Sequence, residues 1–196
     1  MLKKFTILFF IAALSFLKAQ DDVVDIISVP GPIEFNDTEF LLAWSKQPSK
    51  TLSRQQFLPR DERIEDYNQL LDFSFFNKEI EMELAVRQKV ESIQKRGEKD
   101  KFSKVNVTES PAGDEFIVDY FISEAPENGN SYVEYNVYRF KQFENGGQKS
   151  FLILFYSTRI YGDLKSSAKA LAKKRDQLIT NMIEYKIPAI TPVNKL

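Results

Sequence analysis

Five carboxylate side chains in or beside strand-like runs could do acid–base chemistry without histidine. They are Asp114, Glu115, Asp119, Glu124 and Glu134. A glycosidase needs two such groups roughly 5 to 10 Å apart in a cleft, one as the acid and one as the nucleophile or base. Surface charge on strands is the simpler interpretation. A carboxylate-based hydrolase of glycan-type substrates is therefore an alternative function, and we assign no catalytic residue.

A second set of side chains could bind a ligand, because Tyr and Trp combine a stacking face with a polar tip and Arg offers a fork for carboxylates or phosphates. Arg139 and Arg159 are charges inside apolar or aromatic runs, so each either faces solvent or needs an acidic partner. Packing within the sheet is the competing interpretation for the aromatic rings. The residues that we expect to bind a ligand or partner are Trp44, Tyr138, Arg139, Arg159 and Tyr161.

Histidine and cysteine are absent from all 196 residues. Their absence excludes Ser-His-Asp and Cys-His catalysis, His-ligated zinc and disulfides. A metal would have to be a hard cation on oxygen ligands, and the sequence has no calcium loop of the DxDxDG type. We therefore predict no cofactor and no metal site.

The charge balance argues against nucleic acid as a partner. The chain has 27 basic and 28 acidic residues, with a formal net charge of -1 and a pI of about 5.7. Sequence-independent binding of nucleic acid needs clustered Lys and Arg.

Residues 1–19 have the pattern of a secretory signal peptide. Lys3 and Lys4 precede an apolar core from Phe5 to Leu17, and Ala19 is a small residue before a polar segment. This core is too short for a comfortable membrane span, and no other segment approaches that length. We predict cleavage after Ala19, a periplasmic or extracellular protein, and no stable membrane span after cleavage. An uncleaved anchor is the alternative.

Residues 114–161 must position most of these side chains. Three apolar and aromatic runs alternate there with two loops rich in Asn, Gly and Glu, which is typical of an antiparallel meander. The third run is apolar on both faces over residues 151–156. We therefore expect it to lie centrally in the sheet, with cover on both sides.

Two helices are predicted to provide that cover. The first runs from Lys78 to Arg96 with Asn77 as N-cap, and the second runs without a break from Asp163 to Tyr185. Residues 67–76 are predicted to form a strand, since large apolar side chains alternate there with polar ones. The apolar stripe of the first helix consists of Met82, Ala85, Val86, Val90 and Ile93.

The order of these elements, with a run around Trp44, a Tyr-rich meander and a closing helix, resembles the PsbP/Mog1-like α/β/α sandwich over residues 32–188. The resemblance implies an α+β fold in which two main helices cover a single antiparallel sheet, and a binding or assembly role without a common active site. It assigns no functional residue. The leader and the Lys18-Ala19-Gln20 junction also resemble those of exported proteins of Bacteroidetes-type bacteria.

These observations predict a signal peptide over residues 1–19, an extended lead-in over 20–32, a single α+β domain over 33–188 and a C-terminal tail over 189–196. The predicted function is an exported, non-enzymatic binding or assembly domain that acts on an envelope protein or a small ligand. A purely structural envelope factor is the second alternative, beside the hydrolase.

Overall fold

The computed structural model describes residues 23–145 and 147–192, so the predicted signal peptide lies outside the described residues. The described part is 43% strand and 21% helix, which makes the sheet the dominant element. Its strands are β1 (Ile33–Phe35), β2 (Thr38–Ser49), β3 (Leu52–Leu58), β4 (Gln69–Phe76), β5 (Val105–Glu109), β6 (Glu115–Glu124), β7 (Tyr132–Asn145) and β8 (Gln148–Tyr161). Its helices are α1 (Met82–Gly97), α2 (Leu164–Ala172) and α3 (Arg175–Glu184).

The described strands form one antiparallel sheet in the order β1-β2-β3-β4-β8-β7-β6-β5. After β4 the chain crosses through α1 to the far edge at β5. It then returns strand by strand until β8 pairs with β4. The predicted meander is confirmed as β6, β7 and β8, and the predicted strand at residues 67–76 is confirmed as β4.

The sheet curls into a half-barrel. The contact between Phe35 on β1 and Tyr156 on β8 demonstrates this curvature. These strands are four positions apart in the sheet order. In a flat sheet with a strand spacing of about 4.8 Å, they would be separated by about 19 Å. The two ring centroids are 4.8 Å apart. The predicted α/β/α sandwich with two main helices is therefore wrong, because the sheet closes around its own inner face.

The two faces of the sheet carry separate cores. The inner face, defined by Leu152, Leu154 and Tyr156 of β8, packs against α2 and α3. The outer face, defined by Phe151 and Ile153 of the same strand, packs against α1. The prediction that residues 151–156 are covered on both sides is confirmed, since alternate residues of β8 enter each core.

Both predicted helices need correction. The first begins at Met82 rather than Lys78, because Asn77 is held elsewhere: its side-chain oxygen accepts a hydrogen bond from Gln148. The second helix is broken at Lys173 and Lys174 into α2 and α3. This break allows α2 to lie over β7 and β8 while α3 lies over β6 and β7, as the curled sheet requires. Within the described residues, no helix has the combined length and apolar character needed to cross a membrane.

Candidate ligand groove

A groove of about 470 Å³ lies on the outer face, between α1 and strands β4, β7 and β8. We call it the α1 groove. Its walls are mainly aromatic and aliphatic, with a few polar side chains from α1. The lining residues are Phe76, Ile80, Ala85, Gln88, Lys89, Ser92, Tyr138, Phe140, Phe151 and Ile153.

Helix periodicity directs Lys89 toward the sheet. The buried residues of α1 are Met82, Val86 and Ile93. Lys89 follows Val86 by three positions and precedes Ile93 by four, so it belongs to the same helix face. A cation therefore occupies a position where this face would normally present an apolar side chain.

The ammonium group of Lys89 lies over two tyrosine rings, 3.9 Å from the centroid of Tyr138 and 5.0 Å from that of Tyr120. Ring faces attract a cation, yet they do not replace an anionic partner. Burial lowers the pKa of Lys89 to about 8, although the nearby charge of Glu134 opposes this shift. Among the described residues, no side chain forms an ion pair with Lys89 or accepts a hydrogen bond from it.

Tyr120 and Tyr138 form the floor beneath this lysine. Their rings stack at 5.7 Å, and Tyr138 also stacks on Phe155 at 4.3 Å. Burial raises the pKa of both hydroxyl groups, so both tyrosines are neutral near pH 7. The pair therefore adds no negative charge beside Lys89, and of the two rings Tyr138 lines the groove.

Asn136 lies in the same patch, because it pairs with Tyr120 across β6 and β7 and precedes Tyr138 by two positions on one face of β7. Its side chain is buried, with 1% relative exposure. Neither its amide nitrogen nor its carbonyl oxygen has a hydrogen-bond partner among the described residues. An unpaired buried amide lowers stability, and Asn136 is not among the residues that line the α1 groove.

Of the five predicted binding residues, Arg159 and Tyr161 lie close together beside this patch. The guanidinium of Arg159 lies between the rings of Tyr67, at 3.7 Å, and Tyr132, at 4.6 Å. Its Nε donates to Glu134 at 2.5 Å, and the Tyr161 hydroxyl donates to the Tyr67 carbonyl at 3.1 Å. Of the two alternatives for Arg159, solvent or an acidic partner, the structure shows the second, with Glu134. This cluster holds the segment before β4 against the sheet.

Arg139 lies on the inner face, opposite Tyr138, because consecutive residues of a strand point to opposite faces. Its Nε donates to Glu115 at 2.6 Å. Its Nη1 donates to the carbonyls of Met182 and Tyr185, each at 2.9 Å. Arg139 therefore also has an acidic partner rather than solvent, and it anchors the C-terminal end of α3.

Trp44 lies in a different polar network on β2, β3 and β4. Arg54 lies 5.8 Å from its ring and donates to Asp72 at 2.6 Å. Gln56 donates to the same carboxylate at 3.0 Å. The five predicted residues thus fall into separate clusters. Among these five residues, Tyr138 alone lines the α1 groove.

The five candidate carboxylates each contact a cationic side chain. Glu115 pairs with Arg139 and Lys141, and Glu124 pairs with Arg96. Hydrogen bonds from Arg139 and Lys141 outweigh burial and lower the pKa of Glu115, whereas a general acid needs a raised pKa. The remaining pairs join Asp114 to Lys141, Asp119 to Arg175 and Glu134 to Arg159. Residues 23–145 and 147–192 contain no group of three acidic side chains placed to share a metal ion.

Lys89 and Asn136 were missed by the sequence analysis. Lys89 had a signal, since it stands seven residues after Met82 and four before Ile93, inside the apolar stripe of the helix. Asn136 had a weaker one, as a polar residue between Tyr135 and Val137 in a strand. Strand periodicity alone does not reveal whether such an amide finds a partner.

The fold and the groove define a class: an antiparallel half-barrel with an apolar groove under its single outer-face helix, as far as the described residues extend. A family model matches residues 27–187, and the chain belongs to that family. No curated protein and no solved structure matches the chain. The resemblance to PsbP/Mog1-like proteins and to exported Bacteroidetes-type proteins stays a prediction.

Proposed function

We propose that this chain is an exported, non-enzymatic binding domain that holds a small ligand in the α1 groove. Export is supported by the secretory leader predicted over residues 1–19. The binding role is supported above all by Lys89, a half-buried cation that points at the sheet without an acidic partner among the described residues. Apolar walls with a few polar groups are the usual form of a small-molecule site.

The surface favours a small ligand over a partner protein. The groove volume of about 470 Å³ lies within the usual range for small-molecule pockets, about 300–1,000 Å³. The exposed large apolar side chains of the described residues come from five different segments of the chain. They are Val24, Ile64, Leu84, Val107 and Ile183.

Fluorescence titration with 1-anilinonaphthalene-8-sulfonate tests the groove. We expect saturable binding to one site of the folded protein, weakened about tenfold or more in Ala85→Leu, because the larger side chain fills the groove. Gln94→Leu is the matched control, since it adds the same side chain at an exposed position of α1. Absence of saturable binding, or equal binding by the wild type and Ala85→Leu, would contradict the proposal.

A further inference from the structure

We infer that the ligand of the α1 groove is a monoanionic amphipathic molecule, with a carboxylate head at Lys89 and an apolar tail along the groove. The inference rests on the proposed function and adds the chemical class of the ligand. It follows from the charges and the walls of the groove.

The head-group position is set by Lys89. Its ammonium group has three N–H donors, and the rings of Tyr120 and Tyr138 that it covers are not oxygen acceptors. A carboxylate oxygen accepts such a charge-assisted hydrogen bond well. Asn136 lies two positions before Tyr138 on the same face of β7, but it is 1% exposed and does not line the groove, so the head group is assigned to Lys89 alone.

The ligand charge is limited to one by the surroundings. Lys89 is the single charged residue among those that line the groove. The neighbouring cation Arg159 is already paired with Glu134. The charge of Glu134 acts on Lys89 and therefore also repels an anion bound there. One cation near one carboxylate suits a monoanion better than a dianion such as a phosphate monoester.

The tail position is set by the rest of the groove. The side chains of Phe76, Phe140 and Phe151, together with Ile80 and Ile153, form its apolar wall. Phe140 and Phe151 belong to the outer-face core and are 2% and 1% exposed. Because these two rings already expose almost nothing, a hydrocarbon tail removes apolar surface from water mainly at the half-buried Phe76, Ile80 and Ile153, at about 25 cal/mol per Å².

Binding of such a ligand depends on pH through Lys89. The groups that face it are the neutral Tyr120 and Tyr138, the carboxylate of Glu134 and, behind Glu134, Arg159. Because burial brings the pKa of Lys89 to about 8, the ammonium form that binds a carboxylate is depleted above that pH. The affinity should therefore fall as the pH rises from 7 to 9, while a neutral ligand should bind equally at both.

Isothermal titration calorimetry with a series of ten-carbon ligands tests the inference. The protein is expressed from the full chain and purified. The probes are decanoate, 1-decanol, decyltrimethylammonium and decyl phosphate, each as a monomer at pH 7. We expect decanoate to bind about tenfold or more tighter than 1-decanol, as one charge-assisted hydrogen bond predicts. Lys89→Met should remove this preference. Lys95→Met, on the exposed part of the same helix, should retain it.

The outcomes separate this inference from the proposed function. Equal binding of decanoate and 1-decanol, both weakened by Ala85→Leu, would overturn the carboxylate head and leave the groove as a binding site. If decyl phosphate or decyltrimethylammonium bound more tightly than decanoate, the inference of a monoanionic ligand would be overturned. Failure of every probe, and of the fluorescent dye, would overturn both proposals. Lys89→Gln provides a second test of the charge. Binding to phosphatidylglycerol vesicles in preference to monomeric decanoate would overturn the inference that the ligand is a free molecule.

Discussion

The Nζ atom of Lys89 lies 3.9 Å from the centre of the Tyr138 ring, at the point where α1 would be expected to press an aliphatic side chain onto the sheet. No described acidic residue pairs with it. A desolvated charge of this kind lowers stability, and such local costs are typical of functional sites. This relationship gives the first prediction.

Lys89→Met should raise the free energy of unfolding at pH 7 by about 1 kcal/mol, because methionine keeps the packing and removes a desolvated charge. Urea unfolding measures the change, and Lys95→Met should be neutral. The folded pKa of about 8 lies below the ordinary value of 10.5. Between these two values the unfolded chain binds more protons, so the wild type gains stability as the pH rises and the gap to Lys89→Met closes. A destabilised Lys89→Met would contradict the prediction.

Asn136→Leu should also be stabilising, by about 1 kcal/mol, because it replaces an unpaired buried amide with an apolar group of similar size. Asn136→Asp is the matched contrast. It places a carboxylate at the same buried position, close in sequence to Glu134, and should cost about 2 kcal/mol or more. Thermal and urea unfolding would both report these changes. A loss of stability in Asn136→Leu would mean that the amide is satisfied in the folded protein.

Arg139→Ala should lower the free energy of unfolding by about 3 kcal/mol, since it leaves Glu115 and the last carbonyls of α3 without their main donor. Hydrogen exchange at the end of α3 should accelerate. Arg60→Ala is the control, because both side chains of its pair with Glu39 are largely exposed, at 72% and 49%, and its loss should change the stability little. Similar losses in the two variants would refute the anchoring role of Arg139.

The stability of the protein should fall in acid partly through Glu115. Hydrogen bonds from Arg139 and Lys141 outweigh burial and lower its pKa below the ordinary value of 4.5. A carboxyl with a lowered folded pKa contributes fully above the unfolded value and loses this contribution as the pH falls through the folded pKa. Glu115→Gln should be less stable than the wild type at pH 6, and the difference should shrink as the pH falls below 4.5. Parallel acid profiles for the two proteins would disprove this linkage.

Leu171→Asp should unfold or insolubilise the protein. Leu171 is 1% exposed and belongs to the inner-face core, so the substitution buries a charge without a partner. Lys169→Asp introduces the same side chain at an exposed position of α2 and should leave a cooperative melt. Circular dichroism during heating distinguishes the two, and a near-wild-type melt for Leu171→Asp would disprove the packing.

The curl of the sheet could not be predicted from local sequence patterns. Alternation in β4 and the doubly apolar run in β8 predict strands and their burial, because both depend on neighbours along the chain. The contact of Phe35 with Tyr156 depends on the accumulated twist of four strand pairs. The predicted α/β/α sandwich was wrong at this point. The predicted single second helix was wrong as well, because α2 and α3 each follow a different part of the curved surface.

The candidate site was predicted only in part, for a related reason. A charge in an apolar run can be found by reading the chain, and Arg139 and Arg159 were found in this way. The sequence does not assign such a charge to a partner, because Glu115 and Glu134 reach them from neighbouring strands. Lys89 differs from both arginines because no acidic side chain pairs with it among the described residues.

The sequence by itself determined the absence of histidine and cysteine chemistry, the charge balance, the strands of the meander and the apolar stripe of α1, since composition and periodicity are local properties. The tertiary structure decided which charges are paired and which face of each strand meets a helix. It also decided where the apolar surface stays open as a groove. These outcomes depend on strand register and sheet curvature, which join residues far apart in the chain.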